Sequence, residues 1–200
     1  MLDIRSWSNY VIRTPTAFAL LFVLNACTTT SPVPPIAPPQ NWPLLAPATL
    51  GRAVQVKQIL RGAFGGKEIN LQCVVTVQPQ QLTVIGLTTL GLRAFSVTYD
   101  GEHVVEEHAT QMPDSIRGER LINDIQFAFW SLPALQTALQ GTGWEISEPF
   151  PGTRRLTRDG NLIAEVHYAD TNPWSGRIWI SNFRDRYSVS IVTSSLTAGP

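Results

Sequence analysis

The sequence predicts a mainly β (α+β) fold, a strongly curved antiparallel sheet of roughly 9–11 strands covered on one side by a helical hairpin. Three observations predict it. Two blocks of the chain, about 53–108 and 144–193, carry apolar residues at alternate positions. Turn signals such as Asp100-Gly101, Asp159-Gly160 and Asn172-Pro173 separate the runs. Between the blocks the apolar spacing lengthens to that of a helix.

The chain starts with a different kind of signal. Arg5 and Arg13 precede the apolar run Ala17 to Leu24, which is followed by Asn25-Ala26-Cys27. A basic end, a short apolar core and a small residue at a cleavage point mark a secretory signal. The run is far short of the ~20 residues of a transmembrane helix. Cysteine directly after Ala26 resembles the bacterial lipobox, so residues 1–26 are expected to be removed and Cys27 lipidated. A plain secretory signal cut near Ala26 is the alternative. Thr28 follows the cysteine where an aspartate would favour inner-membrane retention, so by resemblance to Gram-negative lipoproteins the expected address is the periplasmic face of the outer membrane. Residues 27–51 read as an extended tether, crowded by Pro32, Pro34, Pro35, Pro38, Pro39, Pro43 and Pro47. Residues 52–195 then form the folded domain.

The first block reads as a meander of strands. Val54, Val56 and Leu60 share one parity, and so do Leu71, Cys73, Val75 and Val77. Leu82 to Leu87 is apolar on both parities, which predicts burial on both faces or an apolar lining. Leu92 to Tyr99 and a polar strand over Glu102 to His108 follow.

Asp114 and Ser115 suit a helix start, and Leu121, Ile122, Ile125 and Phe129 recur at helical spacing. Ser131 suits the cap of a second short helix with Leu135, Ala138 and Leu139 as its stripe and Gly141 at its end. Strands resume over Trp144 to Ser147, Arg154 to Arg158, Leu162 to Tyr168, Gly176 to Phe183 and Tyr187 to Thr193.

Composition narrows the function classes. Fifteen basic and 15 acidic residues leave the 200-residue chain without net charge, so no basic field invites nucleic acid. Charged residues are 15% against a usual ~25%, and hydrophobic residues reach 44%. Such a balance predicts a large apolar core, an apolar binding surface, or both. Cys27 and Cys73 are the only cysteines. With Cys27 lipidated, Cys73 is left as a lone thiol within an apolar strand, read as a small core residue.

Leu82-Thr83-Val84-Ile85-Gly86-Leu87-Thr88-Thr89-Leu90-Gly91, followed by a strand and Tyr99-Asp100-Gly101, resembles the segment of LolB-type lipoproteins around their apolar loop. Leu121-Ile122-Asn123-Asp124, Trp130-Ser131-Leu132-Pro133 and Gly141-Thr142-Gly143-Trp144 are similar to that family's helical stretch. The order of elements also resembles an uncharacterised proteobacterial lipoprotein family encoded beside aryl polyene and fatty-acid-like biosynthesis genes. The resemblance to LolB and its periplasmic relative LolA implies an open β half-barrel whose apolar hollow, lidded by helices, holds acyl chains. It implies Val84, Leu92, Phe95, Val97, Phe129, Trp130, Leu135, Leu139 and Trp179 as the apolar lining. It implies Leu90 as a loop tip that meets the bilayer. The implied partners are outer-membrane lipid through Cys27, an acyl-bearing ligand (lipoprotein, fatty acid or polyene lipid) and a LolA-like carrier, with the protein itself a monomer. A structural envelope lipoprotein on the same scaffold is the other reading.

Nothing in the sequence points to catalysis, a cofactor or a metal. No nucleophile elbow, HExxH motif, phosphate loop or zinc spacing is present. His103, His108 and His167 are the only histidines, and an Asp124–His167 acid–base pair lacks a neighbouring nucleophile. Arg154, Arg155 and Arg158 read as a solvated strand edge.

Overall fold

The computed structural model describes residues 41–64, 66–108 and 117–198. Cys27, the signal segment, most of the tether and the expected cap at Asp114 and Ser115 lie outside the described residues. Ten strands form one antiparallel sheet: β1 (Val54–Phe64), β2 (Lys67–Gln78), β3 (Gln81–Leu87), β4 (Arg93–Tyr99), β5 (Val104–His108), β6 (Trp144–Phe150), β7 (Thr153–Arg158), β8 (Asn161–Tyr168), β9 (Arg177–Asn182) and β10 (Tyr187–Ala198). Two helices, α1 (Gly118–Phe129) and α2 (Leu132–Leu139), lie in sequence between β5 and β6.

The strand order is β5-β4-β3-β2-β1-β10-β9-β8-β7-β6. Every pair of chain neighbours except β5 and β6 is adjacent, and the first and last strands close on each other at the centre. The edges, β5 and β6, do not pair, so the curved sheet stays an open half-barrel. The helical segment is the connection from one edge to the other. A helix of 12 residues spans about 18 Å.

Strand parity decides which face is covered. Val54, Val56, Cys73, Val75, Val77, Leu82, Val84 and Val97 are buried, while Gln55, Lys57, Gln72 and Gln81 beside them are exposed. On β3 only Leu82, Val84 and Gly86 are buried; Ile85 and Leu87 are half-buried on the other face, so the expectation of burial on both faces is corrected. Gly86 is required here. The Phe95 ring of β4 lies across it, and a Cβ would stand 2.2 Å from that ring.

Neither helix starts on a side-chain bond from its N-cap residue. The backbone N–H of Gly118 donates to the Glu106 carboxylate of β5, which ties the start of α1 to an edge strand and sets a negative charge at its positive end. A Cβ at residue 118 would stand 2.8 Å from that carboxylate and 3.0 and 3.1 Å from Val104 and Val97, so glycine suits this close approach. Ser131 occupies the N-cap position of α2, but its hydroxyl makes no capping bond; Pro133 sits in the first turn.

The folded region begins earlier than residue 52. Trp42, Leu45 and Pro47 are buried, and a 3-10 turn spans Pro47–Leu50. This strap lies along α1. Leu45 N–H donates to Gln126 Oε1 (2.9 Å) and Gln126 Nε2 donates to Leu45 O (2.7 Å), the bond pattern of a strand pair made by a side chain. Asn123 Nδ2 donates to Trp42 O (3.2 Å), and Trp130 Nε1 to Thr49 Oγ1 (2.8 Å). Asn123, Gln126 and Trp130 recur at three- and four-residue spacing and so share one face of the helical segment.

Candidate functional site

Leu121, Ile125 and Phe129 form another face of α1, and an apolar cavity lies between this face and the centre of the sheet. Leu60 of β1, with Ile69, Leu71, Cys73 and Val75 of β2, forms one wall. Val84 and Phe95 continue it, and Ile180, Val189 and Ile191 close the other side. The cavity measures about 60 Å³, counted as space open to the centres of water-sized spheres. That is room for a few waters and far less than an extended acyl chain fills. Leu121, Ile125 and Phe129 of α1 line this remaining space. Phe129 also stacks on the buried Trp174, with ring centroids 4.3 Å apart.

Three polar side chains break the apolar wall: Gln58, Asp124 and Tyr187. Tyr187 O–H donates to Asp124 Oδ2 (2.5 Å), and Asn182 Nδ2 donates to Tyr187 Oη (3.3 Å). Arg120 and Arg184 both meet Asp185, at 3.5 Å and 2.9 Å. Burial pushes the Asp124 carboxyl up to about 7, opposed by the Tyr187 hydrogen bond and the Arg120 charge. Burial, then the Asp124 charge, drives the Tyr187 hydroxyl well above its ordinary value. Cys73 is buried and its thiol is raised to about 12 by that burial, so it is an inert wall residue.

The C-terminus of α1 is locked from the far half of the sheet. Arg154 is buried, and its Nη1 donates to Phe127 O (2.7 Å) and Trp130 O (2.9 Å). Its other nitrogens donate to Glu148 Oε1, at 3.0 and 2.7 Å. Tyr168 O–H donates to Ala128 O (2.7 Å). A cation here satisfies carbonyls that a helix end leaves open. The expectation of a solvated basic edge is thus corrected: β7 is not an edge strand, Arg155 pairs with Glu165 and Arg158 lies over Trp144.

Of the expected lining residues, Val84, Phe95 and Phe129 line the cavity. Val97 is buried beside Gly118. Trp130 is buried with its indole turned to the strap, and Leu135 and Leu139 are buried on α2. Leu92 and Trp179 are corrected. Leu92 is 65% exposed because it ends the turn whose Thr88 bonds to it, before β4 begins. Trp179 is 41% exposed because it has outward parity between the buried Ile178 and Ile180; Arg177 lies over its ring. Leu90 is 85% exposed at the β3–β4 turn. Asp124 and His167 are not paired: Asp124 bonds to Tyr187, and His167 bonds to Glu165 and Thr153.

Sequence reading missed Gln58, Leu60, Ile69, Tyr187, Val189 and Ile191 as lining. Their inward parity on β1, β2 and β10 was visible. What was absent was the knowledge that β1 and β10 are neighbours at the centre of the sheet. Among the described residues there is no cluster of potential metal ligands, and no helix is long and apolar enough to cross a membrane.

A family model described as "Protein of unknown function (DUF3261)" matches residues 55–195. No curated protein matches the chain. Among solved structures, the chain is similar to one described as an outer membrane lipoprotein-sorting protein domain from Vibrio parahaemolyticus. The identity is 8% and the TM-score 0.43, with 74% of this chain and 85% of that chain covered. It is also similar to a DUF1329 family protein from Desulfovibrio piger, with 11% identity and a TM-score of 0.32 over 79% of this chain and 94% of that one.

Proposed function

The chain belongs to that family, DUF3261, and from this premise we propose that it is a non-enzymatic envelope lipoprotein that binds a hydrophobic chain between its sheet and α1. The observation that carries the reading is the apolar cavity lying under the one segment that joins the two unpaired sheet edges. A ligand enters as α1 moves off the sheet and, once α1 settles back, lies between the sheet and Leu121, Ile125 and Phe129. Burial of each ligand methylene contributes about 0.8 kcal/mol, so one acyl chain can offset the loss of those contacts. Acylated proteins, fatty acids and polyene lipids all present such a chain. In this reading Cys27 carries the lipid that holds the protein on the periplasmic face of the outer membrane, and a LolA-like carrier is the donor.

The test is organic extraction and mass spectrometry of the purified protein, followed by titration with a fluorescent fatty acid. Co-purifying lipid or saturable uptake is expected. Protein that yields no lipid and takes up no probe would overturn the proposal. The small size of the cavity favours a second reading, a structural envelope lipoprotein with a filled interior, and that same outcome would select it.

A further inference from the structure

A second, smaller space lies beside the apolar cavity. It measures about 20 Å³ on the same scale and is bounded by Trp42 of the strap, by Arg120, Asn123 and Asp124 of α1, and by Asn182 of β9. Asp124 borders both spaces.

Two polar atoms here have no hydrogen-bond partner among the described residues: Asn123 Oδ1 and Arg120 Nε. Asn123 is only 5% exposed, and its amide is oriented by the bond from Nδ2 to Trp42 O. The free oxygen is thus a buried acceptor, and Nε–H is a donor one helical turn away. Leaving either unmet is costly, and native proteins rarely do so.

We infer that this polar space is a head-group subsite, which takes a neutral hydroxyl at the end of the hydrophobic chain held in the neighbouring cavity. The inference rests on the chain-binding reading above. A hydroxyl donates to Asn123 Oδ1 and accepts from Arg120 Nε, which satisfies both atoms. A carboxylate has no proton to donate and leaves Asn123 Oδ1 unmet, although Arg120 and Arg184 both border the space. An ammonium has no acceptor and leaves Arg120 Nε unmet. The space is about that of one water, so a phosphate group is excluded by size.

The experiment is displacement of a bound fluorescent fatty acid from the purified protein by hexadecanol, hexadecyl methyl ether and hexadecanoate. Hexadecanol is expected to displace the probe at about tenfold lower concentration than the ether, which accepts but cannot donate. Asn123→Leu is expected to abolish that preference while the probe still binds. Equal displacement by alcohol and ether in the wild-type protein overturns the subsite and assigns the space to ordered water, with chain binding intact. The wild-type ratio decides the matter even if the variant fails to fold. If the probe itself does not bind, chain binding falls and the subsite with it; if it binds but hexadecanol does not displace it, the subsite alone falls.

Discussion

Tyr187 of β10 donates its hydroxyl to the Asp124 carboxylate of α1 across 2.5 Å, and so joins the covering helix to the centre of the sheet. The bond lies at the border of the apolar cavity and the polar space. Any movement of α1 away from the sheet breaks it. Tyr187→Phe keeps the ring and removes the bond. The expected result is a loss of about 1–2 kcal/mol of stability in urea denaturation together with faster uptake of fluorescent fatty acid. Unchanged stability and uptake would refute the role.

The same carboxyl sets a pH dependence. Burial raises Asp124 from 3.8 to about 7 in the folded protein, so the unfolded chain ionises first as pH rises. The folded state binds more protons in that window, and stability must fall as pH climbs from about 4 to about 7. The favourable contribution is full below the ordinary carboxylate value and is lost once Asp124 ionises. Asp124→Asn removes this slope. Relative to the wild type, the variant is expected to gain stability as pH climbs from about 4 to about 7, read by denaturant titration at each pH. A difference that does not change with pH, or changes in the opposite direction, contradicts the assignment.

Arg154 holds two carbonyls at the end of α1 and the Glu148 carboxylate at once. Arg154→Met keeps the stem and leaves those groups unmet. Two buried helix-end carbonyls left without a donor cost about 1–3 kcal/mol, while Glu148, 41% exposed, is left in water. A change below about 1 kcal/mol in chemical denaturation would show that water replaces the guanidinium there.

Leu71 is half-buried and lines the cavity without reaching the fully buried centre. Leu71→Trp places bulk in the cavity and is expected to abolish fatty-acid uptake while circular dichroism stays unchanged. The strain is expected to stay within the 1–3 kcal/mol typical of added bulk. Retained uptake would place the ligand elsewhere.

Leu90 is 85% exposed at its turn, so Leu90→Glu is expected to change stability by no more than about 0.5 kcal/mol. If the turn meets the bilayer during delivery, the substitution impairs arrival of a cargo lipoprotein at the outer membrane. Unaltered cargo fractionation would remove Leu90 from the mechanism.

The order and type of elements were legible along the chain because alternation and helical spacing are local properties. Val54, Cys73, Val84 and Phe95 could be placed inward from their own strands. Trp179 shows what happens when size outweighs parity: it is large and apolar, yet its position between Ile178 and Ile180 turns it outward. Leu92 shows that a strand end depends on a turn's hydrogen bonds, which neighbouring residue types do not specify.

The sequence by itself determined the two β blocks, the helical connection between them, the near-neutral charge and the lipobox-like segment around Cys27. Only the tertiary structure decided the site. The bond between Gln126 and Leu45 joins residues 81 apart, Arg154 reaches Phe127 across 27 residues, and Tyr187 reaches Asp124 across 63. The first joins α1 to the strap ahead of β1, the second joins it to β7 and the last to β10. Such contacts depend on chain closure over long separations, which no local pattern of side chains encodes.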